Sequence, residues 1–87
     1  IVKSMKMRAL DNVGAYAGRS PFQLGKPIGA IVGPYKIESV QYRAMATMSN
    51  MAAPEAVRGF GQAPTNYAIE AAIDKVAAAV GLDPIEV

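Results

Sequence analysis

Ala53-Pro54-Glu55-Ala56-Val57-Arg58-Gly59-Phe60-Gly61-Gln62-Ala63-Pro64 is the stretch on which the reading of this chain rests. It is a proline- and glycine-bounded loop that runs straight into the strongest helical pattern in the sequence. Pro64 suits a first helical position, where a missing N–H costs nothing. Behind it Ile69, Ala72, Ile73, Val76, Ala77 and Val80 recur at spacings of three and four, with Glu70, Asp74 and Lys75 off that stripe. Gly81 is placed to close the helix in the left-handed conformation. The pattern predicts a helix over 65–80 whose first turn holds the loop rigid and points N–H groups back toward whatever the loop contains.

Within the loop two glycines flank Phe60, and Arg58 precedes them. Glycine takes backbone angles closed to other residues and lets a ligand approach the main chain. Phe60 is then an apolar plate on an otherwise bare loop. Arg58 offers donors, through its guanidinium or its backbone N–H, to an anionic or oxo group. Those features suit a substrate loop, but they suit an ordinary strand-to-helix turn as well. The residues alone leave both readings open.

Upstream, residues 1–10 alternate, with Met5, Met7 and Ala9 on one side and Ser4, Lys6 and Arg8 on the other, the period of a half-buried strand. Asp11-Asn12-Val13-Gly14 carries turn or bulge chemistry, and Tyr16 reads as a core aromatic with its hydroxyl at the edge. Between Gly18 and Pro34, four glycines and three prolines predict an irregular or partly helical connection anchored by Ile28, Ile31 and Val32. Tyr35 to Met48 alternates again. Val40, Tyr42, Ala44, Ala46 and Met48 fall on one face of this second strand, Gln41, Arg43 and Thr47 on the other. Met45, Met48 and Met51 share no strand face and read as core filler rather than a thioether set for copper(I). The expected fold class is α+β: two long strands, paired antiparallel, with a covering helix, in a sheet completed by other parts of a larger protein.

Composition narrows the function. The chain has 87 residues, enough for one domain of modest core, and at 52% hydrophobic and 18% charged residues it can bury one. Net charge is +2, with Lys3, Lys6 and Arg8 clustered on what reads as a solvated strand face. No aromatic or glycine platform interleaves with those cations, which argues against a nucleic-acid partner. The absence of cysteine excludes disulfides, Cys-ligated zinc and iron–sulfur ligation within the chain, and the absence of histidine removes the commonest general base. No apolar run approaches transmembrane length, so a soluble, cytoplasmic protein without a membrane partner is expected. Neither a Gly-x-Gly-x-x-Gly pattern nor a P-loop occurs. Asp83-Pro84-Ile85-Glu86 has the N-cap, first-position proline and capping-box glutamate of a helix start, and with no initial methionine this suggests a piece of a longer protein.

Arg58-Gly59-Phe60-Gly61-Gln62, preceded by Ala56 and followed by a helix carrying Ile69-Glu70, resembles the active-site loop of the molybdenum hydroxylases, the xanthine dehydrogenase and aldehyde oxidase family. Asp11-Asn12-Val13-Gly14-Ala15-Tyr16 is similar to the family's segment after its first strand. Gly33-Pro34-Tyr35-Lys36-Ile37 resembles its Gly-x-Tyr-Lys-Ile-Pro stretch, and the segment from Gly81 to Val87 its Leu-Gly-x-Asp-Pro-x-Glu ending. The four segments occur in the family's order and cover nearly all of the chain.

The resemblance implies that residues 1–87 are a fragment of the molybdopterin-binding domain of a large subunit. The parent would hydroxylate an aldehyde or an N-heteroaromatic substrate with oxygen from water. It would use a molybdenum cofactor (molybdopterin or its cytosine dinucleotide), with iron–sulfur clusters and FAD in other domains or subunits. Arg58 would lie against the molybdenum centre through its backbone, with Gly59 beside it at the cofactor and Phe60 stacked on or beside the substrate. No catalytic residue is implied here, because the family's glutamate base lies far downstream. Glu55 and Glu70 do not match it, Glu70 reading as a surface or capping residue, and the isolated chain is expected to be inactive. Some relatives grip substrate with an arginine shortly before the tyrosine of Gly-x-Tyr-Lys. The nearest cation here is Lys26, set apart by Pro27 and two glycines, so that role does not carry over and purine oxidation is disfavoured. The loop also lacks the cysteine that holds copper in the carbon monoxide-oxidising branch, while the branch that reduces aromatic acyl-CoA thioesters stays open. Without the resemblance, a non-catalytic small α+β interaction or structural module would be the leading reading.

Overall fold

Two strands of equal length carry the architecture: β1 (Val2–Asn12) and β2 (Ile37–Thr47) pair in a two-stranded sheet. The computed structural model describes residues 2–87; Ile1, the first residue of the expected first strand, lies outside the described residues. The strands run parallel, with Met5 opposite Val40 and Met7 opposite Tyr42. This corrects the antiparallel expectation. Parallel neighbours need a connection long enough to return the chain to the same end of the sheet. Residues 13–36 provide it, through α1 (Ser20–Gly25) and a 3₁₀ turn (Lys26–Gly29). Glycine and proline density marks that connection but does not say which end of the sheet it reaches.

α2 (Gln62–Val80) covers one face of the sheet and buries Thr65, Ile69, Ile73 and Ala77, one residue per turn. Ile31 from the crossover joins Ile69 and Ile73, and the half-buried Met5, Met7, Val40 and Tyr42 pack against them. The helix begins at Gln62 rather than Thr65, so Pro64 is its third residue. The first-turn N–H groups have no intrahelical acceptor in any case, which is why proline is tolerated there. Gly81 closes the helix at φ 71 and ψ 29, its N–H donating to the Ala77 carbonyl, as its position predicts. Beyond it the Asp83 carboxylate accepts from the Ile85 N–H at 2.9 Å and the Asp83 carbonyl from the Glu86 N–H at 2.9 Å, a turn with the geometry of a helix start.

Several expected core positions are exposed instead. Half of the predicted helix stripe, Ala72, Val76 and Val80, is exposed, as are Tyr16 and Ile28. Met45, Met48 and Met51 are exposed rather than core filler, and Ala44 and Ala46 lie open on the distal half of β2. The reason is geometric. One helix over two strands covers a single stripe of each element, and no second layer from these residues reaches the remaining apolar surface.

Candidate functional site

The end of β1 and the segment after β2 run side by side into the loop. The Val13 N–H donates to the Thr47 carbonyl (2.9 Å), the Ser49 N–H to Gly14 (3.0 Å) and the Ala15 N–H to Met51 (3.0 Å). Asn12 holds the corner: its side-chain oxygen accepts from the Gly14 N–H at 3.1 Å and from the Ser49 hydroxyl at 2.7 Å. The turn chemistry of Asp11–Gly14 is therefore used to steer the strand ends, and it delivers the chain to residues 53–61.

There the backbone folds tightly on itself. The Phe60 N–H donates to the Val57 carbonyl at 3.0 Å, and the chain passes through positive φ twice, at Gly59 (+85°) and Gly61 (+78°). Side-chain-bearing residues resist that region, so the alternation of glycine and phenylalanine is a backbone requirement. The Gly59 carbonyl accepts from both the Gln62 and the Ala63 N–H at 3.1 Å, and the Thr65 hydroxyl donates to the Gly61 carbonyl at 2.7 Å. The N-terminus of α2 is thus closed by the loop itself. Two first-turn donors are spent on Gly59 and Pro64 has none, which corrects the expectation that the helix N–H groups point into the loop's contents. The loop's own Arg58 and Gly59 N–H groups find no acceptor among the described residues.

Gly61 is buried because α1 lies directly on it. A Cβ at Gly61 would collide with the Gln23 carbonyl oxygen and sit 3.1 Å from its carbon, whereas a Cβ at Gly59 would meet nothing within 4 Å. Packing of α1 against the loop brings the next residue of the chain, Lys26, onto the ring of Phe60, with Nζ 5.2 Å from the ring centroid. Phe60 is half-buried, and with Arg58, Gly59, Gln62 and Lys26 it lines a cavity of about 360 Å³. Arg58, Gly59 and Phe60 therefore share one cavity. Lys26, weighed from sequence as the nearest cation and set aside, is brought into this cavity by the packing of α1.

The two glutamates weighed from sequence lie apart from this cavity's lining. The Glu55 carboxylate accepts from the Ala56 N–H at 3.4 Å in an exposed position. Glu70 is exposed and accepts a hydrogen bond from the Tyr35 hydroxyl, so it ties α2 to the entry of β2. That bond, then burial and the charges of Glu70 and Asp74, raises the Tyr35 phenol above its ordinary value. Tyr42 donates to the Leu24 carbonyl at 2.8 Å, linking the sheet to α1, and burial raises its phenol as well. Among the described residues no three His, Cys, Asp or Glu side chains converge. No helix among the described residues is long and apolar enough to cross a membrane.

The molybdopterin cofactor-binding domain family matches residues 1–87. The chain is 28% identical over 80 residues to a Bacillus subtilis (strain 168) protein named as a probable xanthine dehydrogenase subunit, covering 92% of this chain and 11% of that protein. It is 27% identical over 86 residues to the nicotinate dehydrogenase large molybdopterin subunit of Eubacterium barkeri, covering 99% of this chain and 20% of that one. A xanthine dehydrogenase molybdenum-binding subunit of Escherichia coli O157:H7 is 26% identical over 86 residues, 99% of this chain and 11% of that one. No solved structure matches the chain significantly. The chain spans between 11% and 20% of these relatives' length. With the family matched from end to end, this chain belongs to the molybdopterin cofactor-binding domain family of the molybdenum hydroxylases.

Proposed function

We propose that residues 1–87 form part of the molybdopterin-binding domain of a larger oxidoreductase that hydroxylates an aldehyde or an N-heteroaromatic compound with oxygen from water. The observation that carries this reading is the shared cavity of Arg58, Gly59 and Phe60, in a chain of the molybdopterin cofactor-binding family. The residues fit such a cofactor. Two unspent backbone N–H groups, at Arg58 and Gly59, suit an anionic, oxo-bearing edge, and the open space beside the Gly59 α-carbon allows close approach. When bound, the molybdenum cofactor supplies a two-electron sink beside the substrate carbon.

The chain's own contribution is placement. Phe60 presents a flat apolar face on which a planar substrate stacks, an interaction worth about 0.5–1.5 kcal/mol beyond area burial. The Gly59 carbonyl, held by two α2 N–H groups, fixes the backbone that carries both donors and ring. Arg58 and Gly59 hold the cofactor through their backbone. The general base lies elsewhere in the protein, as do the iron–sulfur and flavin groups that take the electrons onward, and this chain alone is inactive. Cytoplasmic location goes with this reading. An exposed apolar groove of about 520 Å³, lined by Val2, Met5, Ile73, Val76, Val80 and Leu82, supports the view that the rest of the subunit packs against this piece.

Phe60→Ala in the full-length protein tests the assignment. Turnover of an aromatic substrate should fall about tenfold, the scale of a lost stacking contact, while molybdenum content stays near wild type. Unchanged turnover removes the stacking role, and a full-length protein that never carries molybdenum leaves the non-catalytic module as the reading.

A further inference from the structure

The face of the sheet turned away from α2 carries a charge pattern that neither strand shows alone. It presents Lys6, Arg8 and Leu10 from β1 and Gln41, Arg43 and Met45 from β2, all of them exposed. The parallel register sets Lys6 opposite Gln41, Arg8 opposite Arg43 and Leu10 opposite Met45. Like charges directly opposite each other destabilise a strand pair. No carboxylate stands on this face among the described residues, where the ion pair formed, Lys3 with Glu38 at 2.9 Å, occupies the other parity of the strands. Lys6, Arg8, Gln41 and Arg43, with Met7, line a shallow pit of about 80 Å³. A water takes up about 30 Å³, so the pit has room for a carboxylate group.

Parallel sheets occur almost only with both faces covered. Here α2 and Ile31 cover one face, and the described residues leave the other bare. Whatever covers it meets three cations and then an apolar pair. We infer that this face docks an acidic helix from the remainder of the same polypeptide, with carboxylates over Lys6, Arg8 and Arg43 and an apolar side chain over Leu10 and Met45. Spacing favours a helix. Same-face residues of a strand lie roughly 6.6 Å apart, and helix residues four apart rise roughly 6 Å. Carboxylates at i and i+4 therefore follow Lys6 and Arg8, and an apolar residue one turn further on, or one turn before, lies level with Leu10. A carboxylate in the pit accepts from both guanidinium groups and relieves the repulsion between them. A nucleic acid fits worse, because no aromatic side chain on this face offers a base something to stack on. The inference rests on the reading of this chain as part of a larger subunit and is independent of the cofactor.

The test uses the full-length protein. A carbodiimide joins an amine to a carboxylate in contact with it and adds no spacer, and peptide mass spectrometry then locates the link. Lys6 should be joined to an Asp or Glu of the same polypeptide outside residues 1–87, with a second acidic residue four positions away. In the wild type the Lys6 amine should also react with acetic anhydride roughly 10- to 100-fold more slowly than in an Arg8→Glu, Arg43→Glu double variant, the scale of a hydrogen bond to a charged group. The cross-link is read on the wild-type protein, so it decides the matter even where the double variant fails to fold. Absence of any cross-link from Lys6 overturns the inference, whatever the acetylation rate. A cross-link only to a second copy or a separate subunit also overturns it and makes this face an interface between chains. A cross-link with equal acetylation in the wild type and a folded variant overturns it as well, since the contact is then transient. The expected cross-link in a full-length protein without molybdenum leaves the docking surface standing and removes the hydroxylase reading instead.

Discussion

Alanine at each of the two loop glycines separates backbone strain from collision. Gly59 and Gly61 share positive φ, at +85° and +78°. A Cβ at Gly59 meets open space, so Gly59→Ala carries only the cost of holding an alanine in that conformation, about 1–2 kcal/mol. A Cβ at Gly61 collides with the Gln23 carbonyl of α1, a backbone group with no rotamer to yield. Overpacking of that kind adds about 1–3 kcal/mol, for a total of about 2–5 kcal/mol. The loop amides report the difference directly. The Phe60, Gln62 and Ala63 N–H groups are hydrogen-bonded within the loop, and hydrogen exchange measures the free energy of opening those bonds. At a factor of ten per 1.4 kcal/mol, protection should fall roughly 5- to 30-fold in Gly59→Ala and roughly 30- to several-thousand-fold in Gly61→Ala. The exchange of α1 amides should rise with it only in the Gly61 variant. Equal losses in the two variants, with α1 undisturbed in both, would refute the packing of α1 on the loop and with it the placing of Lys26 on Phe60.

Gly59→Val adds a β-branched side chain where φ is positive, and molybdenum content of the full-length protein should drop with activity; full cofactor and full activity would show the glycine is dispensable. Thr65→Val removes the hydroxyl that donates to the Gly61 carbonyl and should cost about 1 kcal/mol, seen as faster exchange in the first turn of α2; wild-type exchange would mean the bond contributes nothing. The phenols of Tyr35 and Tyr42 lie above 10.0 in the folded chain, so folding favours their protonated forms. Their contribution to stability is complete below pH 10.0 and is lost as pH rises through the higher folded values, and a Tyr35→Phe, Tyr42→Phe double variant should show a shallower alkaline loss of stability than wild type. An identical alkaline slope contradicts both shifts. Finally, among the described residues the buried hydrophobic ones are Val13, Ile31, Ile69, Ile73 and Ala77, a small core, so residues 1–87 expressed alone should bind a hydrophobic dye and unfold without a sharp transition. A steep, two-state melt would show that this piece is a self-sufficient domain.

Local features were legible in the residues because their causes are local. The helix was marked by Ile69, Ile73 and Ala77 at helical spacing and by Gly81 at its end, and the loop by glycines whose φ values no other residue adopts without strain. The strand periods at Met5–Met7 and Val40–Tyr42 were visible for the same reason. Burial along those elements was not. Val76 and Val80 have the spacing of core residues, yet whether they are covered depends on how many layers lie above them.

By itself, then, the sequence determined where the chain turns, where it is helical, and that Arg58, Gly59 and Phe60 stand together, since three adjacent residues on a tight loop share one place whatever the fold. Only the tertiary structure decided that the strands run parallel, that the Gly59 carbonyl uses up the donors of the helix start, and that Lys26 reaches Phe60 across the crossover. The physical reason is contact range. Backbone conformation is set by each residue and its neighbours, but pairing direction and long-range contacts depend on where a long connection returns the chain, and no local pattern encodes that.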